Sequence, residues 1–444
     1  MRHTCGYLIV GGLMLSAFVA IPLGTAQQEG LNRDEQHQIS GILRDAHDVV
    51  KKNYYDPKLQ GLDWDARYQH YAAMVGQAHS IGEGFRIVAA FLSGLKDSHT
   101  YFVPPTRSIR YDSGYRFELI GDRGFITQIR PNTEAAEKLH IGDQIVHMDN
   151  YNVNREDFLE LSYYYNILAP RISEQLDLRS PSGEMRRVVV NGIARTNKRV
   201  LDFTDLIDFY DLVRQSENQD HATRPRIVEM GDAAIWKPQW FDPELDQVER
   251  SIGIARKHKA LILDLRGNPG GSVETLKWIV GMLSQQDVKI ADRVSNKESK
   301  PLIAKHDGKP FTGKLMVLVD GGSASAAEAL ARVIQLEHRG TAIGDRTAGA
   351  VMEAREYPDS QGADIKIFYG FSVTDANLVM SDGKSLEKTG VVPDELLLPT
   401  GADLAAGRDI VLARAAELAG IKLDPVEAGK LLPFEWVPLP QGRL

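Results

Sequence analysis

The spacing of apolar and polar positions divides the chain into stretches of different period. Apolar residues recur at helical spacing from about residue 33 until Pro104-Pro105, which predicts an all-helical N-terminal region. From about Ile109 the runs become short and strand-like, with turn residues between them. The strand-like runs are YRFELI, GFITQI, DQIVHM, EQLDLRS and MRRVVVN, and two helical runs, TEAAEKL and REDFLELSYYYNIL, lie among them. This mixture favours a small, partly open barrel.

Beyond about Val228 the pattern alternates between strand and helix. The predicted strands are AAIWKPQWF, ALILDLRGN, KLMVLVD and TAIGDRT, and the predicted helices are ELDQVERSIGIARKH, VETLKWIVGMLSQ and EALARVIQLE. Alternation of this kind implies parallel strands joined by helices, so the predicted fold class is α/β. One further helix is predicted near residues 403–419. The proline-containing end that follows it, LLPFEWVPLPQ, is expected to lie on a surface.

The length and composition fit an ordinary globular protein with several domains. The 444 residues suffice for two or three domains, and 43% of them are hydrophobic and 25% charged. The net charge of -8 argues against a nucleic-acid partner. The predicted bounds are a signal peptide at 1–26, a helical region at 27–106, a strand-rich domain at 107–196, an α/β core at 197–400, and a helix and tail at 401–444.

The first residues predict export from the cytoplasm. Arg2 precedes an apolar run, Gly6–Leu23, and then the small residues Gly24-Thr25-Ala26, the pattern of a secretory signal peptide. The alternative is an uncleaved membrane anchor, because the run is about as long as the shortest spanning helices. We therefore expect a secreted or periplasmic protein whose mature form is not in the membrane.

The mature chain is expected to lack cysteine, because Cys5 lies within the predicted signal peptide. This excludes disulfides, thiol catalysis and cysteine metal sites from the mature protein. The histidines show no HExxH-type spacing, so the sequence implies no metal and no cofactor.

Two predicted strands run into glycine-containing turns that open helices. The first, Leu261–Ser272 (LILDLRGNPGGS), is either a tight turn or an oxyanion hole, since it lacks the Gly-Lys-Ser/Thr of a phosphate loop. The second, Gly321–Glu328 (GGSASAAE), places two serines where a helix begins. A serine there is usually a helix cap. Its small neighbours would also leave it exposed, and a nucleophilic serine needs such exposure. Glu328 caps the helix or shapes a substrate cleft, and the sequence does not decide between them.

Other candidate residues are ordinary when each is considered alone. His99, in GLKDSHTY, lies where a helical pattern breaks, and it is either a general base or a surface histidine. Glu387, in DGKSLEKTGVVPD, is locally one more loop acid. Asp264 and Arg266, in LDLRGN, are expected to hold the fold rather than to react.

Together the segments LILDLRGNPGGS, GGSASAAE and SLEKTGVVPD resemble the C-terminal processing (tail-specific) serine protease family. Upstream, SGYRF, GFITQIRPNTEAAE and LHIGDQIV resemble a PDZ domain. The resemblance implies a crotonase-like α/β protease core with an N-terminal helical region and an inserted PDZ-like domain. The residues of the PDZ loop that would bind peptide are Gly114, Tyr115, Arg116 and Phe117.

The same resemblance assigns the chemistry to specific positions. It implies that Ser325 is the nucleophile and that Ser323 is a structural cap. It implies an oxyanion hole formed by the backbone N–H of Ala326 with that of Gly270 or Gly271.

One departure separates this chain from the tail-specific branch, which uses a serine–lysine dyad. Ala350 stands at the position of that lysine, and Ala354 at the position of the branch's following glutamine. The tricorn-type branch instead resembles this chain at Ser98, His99 and Glu387. The resemblance then implies that His99 is the general base, with Ser98 and Glu387 orienting the imidazole and stabilising its charge.

Three functions remain open at this point. The first is a serine peptidase that hydrolyses peptide bonds, with the PDZ-like domain binding substrate peptide. The second is a catalytically inactive peptide-binding scaffold, which the missing lysine favours and the retained histidine and glutamate oppose. The third is a crotonase-like acyl-CoA enzyme, which the signal peptide opposes. Peptide or protein is the expected partner, and the oligomeric state stays open.

Overall fold

The computed structural model describes residues 31–105, 107, 109–196, 226–241, 245–362 and 367–436. The chain divides into two compact units, one made of residues 1–106 with 354–374 and the other of residues 107–353 with 375–444. The predicted signal peptide at 1–26 lies outside the described residues. Within those ranges, no helix is both long enough and apolar enough to cross a membrane.

The first unit begins with three helices, Arg33–Asn53, Trp64–Val75 and Ile81–Ser93, with a short 3₁₀ turn at Leu59–Gly61. Each α-helix follows a polar residue whose side chain accepts backbone N–H groups of the first turn: Asn32, Asp63 and Ser80. The apolar faces of the helices are buried against one another, and the rings of Trp64 and Phe91 lie 4.2 Å apart.

Three strands complete the first unit. Strand Tyr101–Val103 pairs antiparallel with residues 370–372 of the long strand Ile367–Met380, which also pairs with strand Met352–Gln361. The sequence pattern placed residues 354–374 within the α/β core, but their contacts group them with the N-terminal helices.

The second unit contains the strand-rich region. Its main sheet is antiparallel and has the strand order Tyr115–Ile120, Arg123–Ile129, Gln144–Met148, Ser173–Arg179 and Met185–Asn191. The short strand Tyr151–Asn152 pairs with Gln144–Met148, and Ile109–Asp112 pairs with Ile193–Thr196. Its helices are Glu134–Lys138 and Phe158–Tyr163, the latter continued by a π-helical turn at Tyr164–Leu168. Tyr115–Ile120 is the edge strand, and its outer side pairs with no other strand that the structure describes.

The α/β core of the second unit is built on a six-stranded sheet. The strand order is Arg226–Met230, Ala233–Lys237, Ala260–Asp264, Lys314–Val319, Thr341–Gly344 and Glu395–Leu396. Only the first strand of this sheet is antiparallel to its neighbour, and the other pairings are parallel. The alternation of strands and helices predicted this arrangement, so the α/β class is confirmed.

Helices cover both faces of the core sheet. Helices Leu245–Ala255, Val273–Leu283 and Ala326–Leu336 lie on one face, where they pack with Leu261 and Leu263. Helices Ile410–Leu418 and Pro425–Leu431 lie on the other, where they pack with Ile262. Successive residues of one strand thus face opposite helical layers, which explains why its pattern is continuously apolar.

Two features of the second unit differ from the expectations or extend them. The predicted helix at 403–419 is two helices, Gly401–Ala405 and Ile410–Leu418, because Gly407 between them has a φ of 63°. A hairpin, Val288–Ser295 and Ser299–Ala304, pairs with residues 376–380 of the long strand, and the sequence pattern had not assigned it.

Candidate active site

The turn between strand Lys314–Val319 and helix Ala326–Leu336 holds Ser325 in an unusual backbone conformation. We call residues 320–326 the nucleophile turn. Ser325 has a φ of 55° and a ψ of -122°, in a region that non-glycine residues rarely occupy. Its N–H donates to the carbonyl oxygen of Ala350 (2.9 Å) and to Oε2 of Glu328 (3.0 Å). These bonds fix the backbone while the side chain stays partly exposed.

Ser323 has a different role from its neighbour. It is fully buried, its Oγ donates to the carbonyl oxygen of Leu265 (2.8 Å), and its Oγ accepts the N–H of Asp320 (3.0 Å). The implied helix cap at Ser323 is therefore corrected, because the residue at the cap position of the helix is Ser325. Ser323 instead links the nucleophile turn to the preceding strand-to-helix turn.

That preceding turn, residues 265–272, packs directly against Ser325, and we call it the glycine turn. A Cβ added to Gly270 would lie 2.7 Å from Cβ of Ser325 and 2.8 Å from the backbone N of Ala326. No side chain fits in that space, and the φ of Gly270, 92°, also favours glycine. The two turns therefore pack so closely that only glycine fits at position 270.

The backbone N–H groups at this junction are not equivalent. The N–H of Gly270 donates to Oδ1 of Asn268 (2.8 Å). The N–H groups of Gly271 and Ala326 donate to no atom in the described part of the chain. Of the two glycines that the sequence left open, Gly271 thus has the uncommitted donor.

Asp264 and Arg266 form a buried charge network at the base of the glycine turn. Arg266 donates to both carboxylate oxygens of Asp264 (2.8 and 2.9 Å) and to both of Asp409 (2.9 and 2.8 Å). Nζ of Lys237 also contacts Asp264 (3.1 Å). Burial alone would raise the pKa of Asp264, but the charges of Arg266 and Lys237 hold this pKa below its usual range. These contacts agree with the expected role in holding the fold.

Glu328 is a buried carboxylate whose contacts the sequence did not predict. It accepts the N–H groups of Ser325 (3.0 Å), Gly349 (2.8 Å) and Ala350 (2.9 Å), and the hydroxyl of Thr347. Burial raises the pKa of Glu328, and these hydrogen bonds oppose that rise. Glu328 therefore joins the nucleophile turn to the loop at residues 347–351.

The 347–351 loop also carries the position where the resemblance expects a lysine. Ala350 is buried and offers only a methyl group, so no base acts from this position. The next residue, Val351, donates its N–H to Oε2 of Glu387 (3.0 Å), and Lys388 donates its N–H to the carbonyl oxygen of Gly349 (2.7 Å). One loop thus contacts both Ser325 and Glu387, which lie far apart in the sequence.

His99 belongs to the first unit, in the turn between helix Ile81–Ser93 and strand Tyr101–Val103. Its Nδ1 lies 2.7 Å from Oγ of Ser98. Burial lowers the pKa of the His99 imidazole, and the charge of Asp97 opposes part of that effect. The predicted pair Ser98-His99 is therefore in hydrogen-bond contact within its own turn.

Asp97 organises this histidine turn, and the sequence analysis did not single it out. Its carboxylate accepts the hydroxyls of Tyr54 (2.7 Å) and Thr374 (2.7 Å) and the N–H groups of His99 (3.0 Å) and Thr100 (2.8 Å). The sequence offered one indication of this role, since Asp97 is a carboxylate only two residues before the candidate base His99. The partners Tyr54 and Thr374 could not be found from the sequence, since one directly follows a distant helix and the other lies on a distant strand.

The predicted peptide-binding residues follow one another into the edge strand Tyr115–Ile120. Gly114 has a φ of 76°, and a Cβ there would lie 2.8 Å from Oγ1 of Thr133, so the turn requires glycine. Tyr115 is buried, and its hydroxyl donates to Glu174 (2.6 Å), so its side chain belongs to the domain interior.

The other two predicted peptide-binding residues lie on opposite faces of the strand, and Phe117 is half-buried. The ring of Phe117 lies edge-on to that of Phe158 at 5.8 Å. Arg116 is exposed on the other side of the strand. Metal ligation is not indicated anywhere in the described ranges, since no cluster of histidine, cysteine, aspartate or glutamate there could hold an ion.

The α/β core thus places a serine on a strained turn, in front of a parallel sheet and beside two N–H groups that have no acceptor in the described residues. Residues 235–397 match the model of peptidase family S41, and residues 37–90 match that of the tricorn protease C1 domain. Through this core the chain is similar to peptidase family S41.

Similar proteins come from both branches that the sequence suggested. The putative tricorn protease homolog 2 of Streptomyces coelicolor is 24% identical over 84% of this chain and 31% of its own length. The carboxy-terminal processing protease CtpA of Bacillus subtilis is 32% identical over 30% of this chain and 28% of its own. The chain thus spans about a third of the length of these relatives.

The structure of mature CPAF superposes with a TM-score of 0.62, over 84% of this chain and 94% of that one, at 16% identity. At that identity the likeness concerns the fold alone.

Proposed function

We propose that the chain is a serine peptidase that hydrolyses peptide bonds with Ser325 as nucleophile and His99 as general base. The observation that carries the proposal is the junction of the two turns. Ser325 is held there by its own N–H, beside the uncommitted N–H groups of Gly271 and Ala326. A developing oxyanion needs such donors, already fixed in place before the reaction.

In the proposed reaction Nε2 of His99 takes the hydroxyl proton of Ser325 as Oγ attacks the substrate carbonyl carbon. Nδ1 stays protonated, and its N–H forms a hydrogen bond to Oγ of Ser98. This bond fixes the tautomer and the orientation of the ring. Glu387 balances the charge of the imidazolium that forms. The proton then passes to the leaving amine, and a water molecule hydrolyses the acyl-enzyme by the same steps.

The lowered pKa of His99 suits this assignment, because a neutral imidazole is the form that accepts a proton. Ala350 also supports it, because this position supplies no lysine base. The match to a tricorn C1 domain and the similarity to a tricorn homologue support the histidine branch.

We further propose that residues 107–196 form the PDZ-like domain that binds substrate peptide. The edge strand Tyr115–Ile120 offers free main-chain groups, to which an extended peptide can add as a further strand. A Cβ placed on Gly321 would lie 3.1 Å from Cβ of Leu119, so this strand ends beside the start of the turn that carries Ser325. Export, as the predicted signal peptide implies, would place the enzyme outside the cytoplasm.

The runner-up is an inactive PDZ-containing scaffold that binds peptides without cutting them. The specific observation in its favour is Ala350, which removes the base of one branch of the family. Its weakness is that Ser98 and His99 keep their hydrogen bond and that the donors of Gly271 and Ala326 remain uncommitted.

The decisive experiment measures cleavage of casein and unstructured peptides by the mature chain beside Ser325→Ala and His99→Ala. Each substitution should lower the rate on the order of a thousandfold or more, with residual turnover from the oxyanion hole. A serine-directed phosphonate should label Ser325 in the wild type only. A folded wild type that neither cleaves nor reacts with the phosphonate, yet binds peptides, would establish the scaffold instead.

A further inference from the structure

Three arginines of the second unit form a cationic surface beside the edge strand. We call Arg116, Arg130 and Arg226 the arginine surface. Arg116 lies opposite Gln128 in the strand register, and Arg130 is two residues beyond Gln128, so both arginines share one face of the strand pair. This face is opposite to the one from which Phe117 contacts Phe158, because side chains alternate along a strand.

Two aromatic residues from the chain's own tail lie on these arginines. The guanidinium of Arg116 is 5.0 Å from the ring centre of Phe434, and that of Arg130 is 4.3 Å from the ring centre of Trp436. Both distances fall within the range of cation–π attraction. The two rings also meet edge to face at 5.0 Å, which gives the tail segment a defined shape.

The third arginine contacts the residue before the first aromatic ring and the residue between the two rings. Arg226 donates to the carbonyl oxygen of Pro433, and its Nη2 is 3.4 Å from the carboxylate of Glu435. The tail segment therefore presents an aromatic, an acidic and an aromatic side chain in sequence to three cationic side chains. Arg226 begins a core strand, whereas Arg116 and Arg130 belong to the strand-rich domain.

The contacts differ in how firmly they are held. Arg130 is firmly held in place, since its side chain is only 9% exposed and its Nη2 lies 3.1 Å from the carboxylate of Asp112. Phe434 is 38% exposed, and the side chain of Glu435 is 59% exposed. Exposed ion pairs and partly exposed cation–π pairs are weak in water, so a competing peptide can displace this segment.

We propose that the arginine surface is an exosite for extended peptide segments with an acidic residue between two aromatic residues, and that residues 433–436 occupy it as an internal competitor. The claim that such segments belong to substrates rests on the proposed peptidase function. The claim that the surface binds them does not. Substrates with this pattern would bind once they displace the tail.

The test measures binding of a fluorescein-labelled peptide, Leu-Pro-Phe-Glu-Trp, to the chain carrying Ser325→Ala, so that no peptide is cut. Adding Phe434→Ala and Trp436→Ala should tighten binding at least tenfold, because the competitor is gone. Adding Arg116→Ala as well should remove that gain. A Leu-Pro-Leu-Gln-Leu peptide of equal length is the control and should bind weakly throughout.

Equal affinity with and without the two tail aromatics would overturn the proposal, as would tight binding that survives Arg116→Ala. Arg116→Ala alone, at an exposed position, gives a second measurement should the tail variant not fold. It should weaken peptide binding in the otherwise unchanged Ser325→Ala chain. If the chain binds the peptide but the wild type cleaves nothing, the exosite proposal stands and the peptidase proposal fails. If the wild type cleaves substrates but the chain does not bind the peptide, the exosite proposal fails and the peptidase proposal stands.

Discussion

The turns that carry Ser325 and His99 are both organised by a carboxylate, but in different ways. Glu328, three residues after the serine, accepts three backbone N–H groups and one hydroxyl, all from its own turn and the 347–351 loop. Asp97, two residues before the histidine, accepts two N–H groups of its own turn and two hydroxyls from distant parts of the chain, one just after a helix and one on a strand.

This difference shows how each reactive group is positioned. Ser325 is held through its backbone, in a strained conformation that a buried carboxylate and a carbonyl oxygen maintain. His99 is held at its backbone N–H by Asp97, whose other partners come from distant parts of the chain, and at its ring by Ser98. A substitution that disturbs the contacts of Ser325 should therefore cause a large loss of kcat/KM. A substitution that disturbs the contacts of His99 should cause a smaller one.

The largest effect is expected from Glu328→Gln. The amide NH₂ would face an N–H or hydroxyl donor wherever it is placed, and the loop at 347–351 would move away from Ser325. A displacement on the order of 1 Å near a reacting group costs about a hundredfold in rate, so we expect kcat/KM to fall by that much. Peptide hydrolysis and thermal unfolding would be measured on the same samples.

The matched control for this substitution is Glu274→Gln, an exposed glutamate in the first turn of helix Val273–Leu283. It should leave kcat/KM close to that of the wild type. If both glutamate variants retained full activity, the Glu328 carboxylate would not be what holds the nucleophile turn.

A smaller loss, about tenfold, is expected from Asp97→Asn, because the amide oxygen still accepts hydrogen bonds while the charge is lost. Asp97 opposes the lowering of the His99 pKa, so its removal should lower that pKa further. The acid limb of the pH profile of kcat/KM should therefore move to lower pH. A structural defect alone would reduce the rate without moving the limb.

Asp45→Asn offers the comparison within the same unit. Asp45 also accepts a tyrosine hydroxyl, from Tyr369 at 2.5 Å, and an amide, from Gln361 at 2.7 Å. Its substitution should leave the acid limb in place. A shift of equal size in both aspartate variants would contradict the role assigned to Asp97.

The two turns should also respond to pH with opposite signs. The pKa of His99 is lowered by folding, so its contribution to stability is present above the ordinary value of 6.5 and is lost as pH falls through the lowered one. The pKa of Glu328 is raised by folding, so its contribution is present below 4.5 and is lost as pH rises through the raised value. Urea unfolding at several pH values should show the acid-side slope reduced in His99→Gln and the opposite slope reduced in Glu328→Gln. Unchanged slopes in both would reject these assignments.

The smallest effect is expected at the other serine that begins a core helix. Ser272 accepts the N–H of Thr275 (3.3 Å) as an ordinary cap, with a φ of -62°. Ser272→Ala should cost about 1 kcal/mol of unfolding free energy and leave kcat/KM nearly unchanged. A large loss of activity with unchanged stability would mean that Ser272 takes part in the reaction.

The sequence predicted the parts of the site that follow from local patterns. Apolar runs ending in glycine and serine located both turns, and the resemblance singled out Ser325, His99 and Glu387. It did not predict the partners of Asp97, because Thr374 is 277 residues away and belongs to a strand that the pattern did not assign. Nor did it show that the N–H of Gly270 is already donated to Asn268, since a short turn has no period from which its bonds can be predicted.

The φ of 55° at Ser325 costs stability, because a side chain there strains the backbone, yet the proposed reaction needs that side chain. Glycine occupies such a conformation without strain, so Ser325→Gly should yield a chain that outlasts both the wild type and Ser325→Ala on heating. A screen that rewards only heat resistance would thus discard the nucleophile itself. If the proposed function holds, the same glycine variant would bind substrates without cleaving them and would be a stable protein for isolating them.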